Sequence, residues 1–119
     1  METSLYDRLG GSDNIRQIAS DVVDNHVNNP RVRNRFADSD LVALKKSAAE
    51  FIITGTGGPE VYTGQDMRST HSGMNIDEAE LLAVMSDIMD ALDKNGVGQR
   101  EKEEVLYVLF SMKEEILFA

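Results

Sequence analysis

The sequence predicts an all-α fold. Apolar residues recur at three- and four-residue spacing in several long segments, capping residues precede most of them, and no stretch alternates as a strand would. One connecting segment, 60–75, is long, carries Gly64 and Gly73, and holds no sustained period. Periodicity leaves an up-down bundle and crossed helices both open, and that long irregular segment weighs mildly against a tight bundle.

Gly10-Gly11 makes the first break, and Ser12 is a good N-cap for the helix that follows. Ile15, Ile18, Ala19, Val22, Val23, His26 and Val27 form its apolar face. Asn28-Asn29 stops it, Pro30 suits the first position of a second, short helix, and Phe36 closes that element. Asp38-Ser39-Asp40 offers caps for a third helix carrying Leu41, Leu44, Ala48, Phe51 and Ile52, which Gly55 and Gly57-Gly58-Pro59 terminate. A turn or two of helix is expected around Met67 to His71. Asp77 and Glu80 have capping-box spacing ahead of Leu81, Met85, Ile88 and Leu92, with Gly96 as the stop. A last helix is expected from Gln99 onward, with Val105, Leu109, Met112 and Ile116 in register.

With 119 residues, 41% hydrophobic and 28% charged, the chain is expected to be one domain, 1–119, around one core. It has no cysteine, which removes disulfides, zinc thiolates and iron–sulfur clusters. The apolar runs are too short to span a bilayer, and Met1-Glu2-Thr3-Ser4 lacks the stretches of a signal peptide. A cytoplasmic location with no membrane partner is therefore expected. The net charge of −9 opposes nucleic acid as a partner, because binding a polyanion needs a basic stripe. Arg31, Arg33 and Arg35 come nearest to one and read as a solvated face.

Without cysteine, His26 and His71 are the main soft ligands for a transition metal. His71 lies in the irregular segment near Met67, Met74 and Ile76. On spacing alone, a lone loop histidine is ordinary far more often than it is a ligand. The motifs change that weighting. Ser4-Leu5-Tyr6-Asp7-Arg8-Leu9-Gly10-Gly11 comes first, then Phe36. Gly57-Gly58-Pro59-Glu60-Val61-Tyr62-Thr63-Gly64 follows, and after it Met67-Arg68-Ser69-Thr70-His71-Ser72-Gly73-Met74-Asn75-Ile76. In this order and register the chain resembles the group I truncated hemoglobins, from Ser4 to about Ile116.

The resemblance implies a globin-like, truncated two-over-two helical sandwich. It also implies heme b (iron protoporphyrin IX) as cofactor and His71 as the protein ligand to iron. A single imidazole leaves the opposite position open for a diatomic gas, so O2, CO and NO are the implied partners. Phe36 is expected on the porphyrin face, and Leu44 and Ala48 on the distal side with Val23 and His26. Tyr62, Met67, Met74, Ile76, Leu81 and Val84 match family positions near the porphyrin, with methionine as filler and not as a second ligand. One of Lys45 and Lys46 is expected at the pocket rim near a propionate, although Ser47 occupies the place where relatives often carry lysine.

The chain departs from the family on the distal side. Relatives that hold oxygen tightly place Phe-Tyr where this sequence has Val22-Val23, and often glutamine where it has Leu44 or Ala48. A charge-assisted hydrogen bond to bound oxygen is worth roughly 1.5–3 kcal/mol, or about ten- to a hundredfold in dissociation. Weak oxygen retention, with carbon monoxide little affected, is the expectation. His26 is a distal donor, a sixth ligand, or a partly buried histidine satisfied by an acceptor, the last being favoured. Gas binding, transport, sensing or a redox role follow as functions. Nitric-oxide dioxygenation, with a reductase in trans, fits less well without distal donors, so enzymatic activity is not the leading reading. The competing class is a heme-free helical interaction module on the same scaffold.

Overall fold

The computed structural model describes residues 3–64 and 74–117, and every regular element among them is helical. Helix α1 (Leu5–Arg8) is a single turn, too short to register as a period, and Ser4 caps it by accepting from the Asp7 N–H. Helix α2 (Gly11–Asn28) begins one residue before the expected Ser12 cap. Its N-cap is Gly10, at φ 101°, where a Cβ would also lie 2.8 Å from Asn14 Cβ. Ser12 sits inside the first turn, and its backbone N–H donates to the Tyr6 hydroxyl at 3.1 Å while the two hydroxyls meet at 2.6 Å. Tyr6, reaching across from α1, thus does the work expected of the Ser12 side chain.

Pro30 does not open a helix. The Asn29 carbonyl accepts from the N–H groups of both Val32 and Arg33, closing a turn around Pro30. The short element that follows is a 3₁₀ helix, Arg33–Phe36. Helix α3 (Leu41–Gly55) is capped by Asp40, which accepts from the Val42 and Ala43 N–H groups. Helix α4 (Glu78–Lys94) starts in the reciprocal Asp77/Glu80 box that the spacing predicts. The last helix breaks where continuity was expected. Helix α5 (Gln99–Ser111) ends at Met112, whose N–H turns to the Leu109 carbonyl, and a single turn, α6 (Lys113–Ile116), follows. The bend brings Leu117 beside Ile76 in an isolated parallel bridge.

Helix α2 is the hub. Its buried residues Ile15, Ile18 and Val22 meet Leu9, Ile53 of α3, and Ala91 and Leu92 of α4 in one core. Each large side chain fully withdrawn from water there contributes about 1.5–3 kcal/mol before chain entropy is counted. Both α3 and α4 pack along α2 and scarcely touch each other. Helix α5 lies against α4 and α1, where Arg8 forms an ion pair with Glu104 and a weaker one with Glu101 at 3.4 Å. No helix among the described residues is long and apolar enough to cross a membrane.

Candidate functional site

The site is assembled from the faces that α3 and α4 do not spend on α2. On α3, Ala49 and Ile53 are buried, whereas Leu44, Ala48 and Phe51 share an adjoining face and remain half-buried. The Phe51 ring meets Tyr62 edge-on at 5.3 Å, which draws Tyr62 of the following loop to the same face. On α4, Ala83, Asp87 and Ala91 mark one buried edge, and Met85 and Leu92 the other. Leu81 and Val84 fall between these edges on the helix wheel, yet both are only half-buried. Ile88, which lies between them on the wheel, packs against the core, so Leu81 and Val84 are apolar positions of this face that stay partly exposed.

Phe36 is carried to this region by the 3₁₀ helix and is half-buried, its ring stacked on His26 with centroids 5.6 Å apart and planes 18° apart. Val23 and His26, one turn apart on α2, are both buried. His26 has a definite partner: its Nδ1 bonds Asp87 Oδ2 at 2.7 Å. A carboxylate only accepts, so Nδ1 carries the hydrogen. Asn29 Nδ2 reaches both Asp87 oxygens at 3.1 Å, and Asn25 Nδ2 donates to the Asp87 carbonyl at 3.0 Å. Sequence reasoning missed Asp87, Asn25 and Asn29. The signal was present in Asp87, an acid on the buried edge of an apolar stripe, which must find donors.

A second polar group holds the approach to α4. Arg35 lies half-buried, not in the solvated face expected of the three arginines, because it pairs with Glu80 through two nitrogens, Nη2–Oε1 being 2.8 Å. Its Nη1 also donates to the Met74 carbonyl at 2.9 Å. Arg31 and Arg33 are exposed as expected. Hydrogen bonding from Arg35 holds the Glu80 carboxyl below the usual carboxylate range in spite of its partial burial. Asn75, at φ 48°, turns the chain between Met74 and buried Ile76, a conformation asparagine tolerates better than most residues.

The structure leaves Phe36, Leu44, Ala48, Tyr62, Leu81 and Val84 all half-buried. It gives Lys45 a partner in Asp24 of α2, at 2.8 Å. Met67 and His71 lie outside the described residues. A flat, largely apolar group suits the surroundings: aliphatic faces on two helices and an aromatic ring beside them. Heme fits that description.

The comparisons with known proteins agree. The family model described as bacterial-like globin matches residues 4–118. The group 1 truncated hemoglobin GlbN of Mycolicibacterium paratuberculosis is 27% identical over 95% of this chain and 83% of its own length. The group 1 truncated hemoglobin of Tetrahymena pyriformis is 24% identical over 96% of this chain and 94% of its own. The crystal structure of the Tetrahymena pyriformis protein in its Fe(III) form superposes with a TM-score of 0.94. It shares 23% identity and covers 98% of this chain and 100% of that one. The group II truncated hemoglobin of Bacillus anthracis superposes at 0.89, with 22% identity over 98% and 92% of the two chains. These likenesses establish the truncated two-over-two fold.

Proposed function

The chain belongs to the bacterial-like globin family, whose members bind heme, and from that premise we propose a heme protein that takes up diatomic gases beside an apolar distal wall. The observation that carries the reading is the family match over residues 4–118, supported by the half-buried apolar positions Leu81 and Val84 of α4 and Leu44, Ala48 and Phe51 of α3. Heme, when bound, supplies an iron with one position for a protein ligand and one for a gas. His71 is the residue proposed to hold the iron. Phe36 packs on the porphyrin face, and Tyr62, Met67, Met74, Ile76, Leu81 and Val84 line the remainder.

Val23, Leu44 and Ala48 exclude water from the distal side and offer no hydrogen to a gas. A neutral His26 does not fill that gap, since its one N–H, at Nδ1, is committed to Asp87 and its Nε2 only accepts. Oxygen is therefore expected to leave quickly and carbon monoxide to be held nearly as in tyrosine-bearing relatives. A role that consumes electrons, nitric-oxide dioxygenation included, needs a reductase in trans. Ferric and ferrous absorption spectra of the purified protein, offered heme, test the reading. A strong Soret band lost or shifted in His71→Ala is expected. A protein that stays colourless with heme in excess would leave the scaffold as an interaction module.

A further inference from the structure

We propose that His26 is a positioning residue for Phe36. A polar brace between α2 and α4 holds its imidazole flat against the Phe36 ring and so sets the face that Phe36 turns to the porphyrin. The inference deepens the heme reading above and rests on it.

Phe36 ends a four-residue 3₁₀ helix, a geometry with poor hydrogen bonds and little stiffness of its own. What orients its half-buried ring must come from its neighbours, and the near-parallel imidazole of His26 is the ring stacked on it. The torsion that turns an imidazole about its last bond is broad, so a stack alone would not hold it. The bond from Nδ1 to Asp87 fixes the plane. Asp87 is itself fixed, because Asn29 holds both carboxylate oxygens and Asn25 holds its carbonyl. Three side chains from the end of α2 thus converge on one residue of α4, and no fully buried side-chain nitrogen or oxygen among the described residues lacks a partner. Burying an acid and an imidazole together is a poor route to stability alone, since apolar residues of similar volume usually serve as well. What this network adds is a defined ring orientation beside the proposed porphyrin site.

The test uses the full chain loaded with heme and three variants. His26→Gln keeps an N–H for Asp87 but has no ring, Phe36→Leu removes the supported ring, and the third carries both changes. Heme transfer to an excess of apomyoglobin gives the loss rate. Circular dichroism of the Soret band reads the coupling between porphyrin and nearby aromatic rings. Each single change is expected to speed heme loss by roughly two- to tenfold, the worth of one aromatic pair. Each should also alter the Soret dichroism, and the double variant should lose heme no faster than the faster single. Asn29→Ser, which loosens Asp87 without opening the core, should move both readouts in the same direction and serves if His26→Gln folds poorly. The brace is overturned if these variants keep the parent's loss rate and dichroism, or if the two single effects multiply. It is overturned equally if a low-spin spectrum of the parent vanishes in His26→Gln, which would make His26 a ligand. A parent that takes up no heme defeats the proposed function itself, a result distinguishable from all of these.

Discussion

Val23 and Leu44 show why two neighbouring apolar positions differ in what they tolerate. Val23 is 2% exposed, so a phenol introduced there must displace its neighbours at about 1–3 kcal/mol. Leu44 is half-buried beside the proposed site, where a side chain of similar length has room. Leu44→Gln is therefore expected to supply the missing donor and slow oxygen release by about tenfold or more. Stopped-flow oxygen displacement by carbon monoxide measures it, and an unchanged rate would mean that Leu44 faces elsewhere. Tyr6 and Gly58 have a comparable relation. The Tyr6 hydroxyl serves the first turn of α2, so Tyr6→Phe should lower stability by about 1 kcal/mol in denaturant melts. A Cβ at Gly58 would lie 2.5 Å from the Tyr6 ring and 2.8 Å from the Ile53 carbonyl, so Gly58→Ala should cost roughly 1–3 kcal/mol.

Among the helices, the start of α4 depends on charge. Arg35 binds Glu80 and the Met74 carbonyl together, and Glu80 also accepts from the Asp77 N–H as part of the capping box. Arg35 holds the Glu80 carboxyl below its ordinary 4.5. A carboxylate with a depressed folded value stabilises the fold fully above its unfolded value, and the contribution fades as pH falls through the folded one. Thermal melts of the parent and Arg35→Met should therefore differ most near neutral pH and converge as pH drops below about 4.5. A gap that stays constant with pH would show that Arg35 acts through packing alone. Asp21 of α2 acts in the same sense. Burial pushes its carboxyl up, but hydrogen bonds from Asn95, Gln17 and Lys94 outweigh that and leave it lowered.

At the scale of the molecule, α3 and α4 are each secured to α2 and not to one another. A flat group seated between them would join two elements that otherwise communicate only through the hub. Any ligand bound by the folded state alone raises stability, by about 2.7 kcal/mol at a hundredfold excess over its Kd. For a chain of this length that is roughly 10 °C in Tm. Calorimetry with and without heme is expected to show such a rise in the parent and a much smaller one in His71→Ala. Equal melting temperatures in all samples would contradict the proposed site.

The sequence by itself determined the helical class, the boundaries of α3 and α4, and the family. Caps such as Asp40 and the Asp77/Glu80 box are local, and apolar periodicity needs only a helix and a core. The resemblance also implied an apolar distal wall, because Val22-Val23, Leu44 and Ala48, at the positions it assigns to that side, carry no side-chain donor. Only the tertiary structure decided which residues serve one another across the chain. Tyr6 replacing Ser12 at the α2 terminus, Arg35 withdrawn from solvent by Glu80, and His26 claimed by Asp87 all join residues distant in sequence. A hydrogen bond depends on where the donor and acceptor lie in space. Helix packing sets those positions, and a one-dimensional pattern does not contain them.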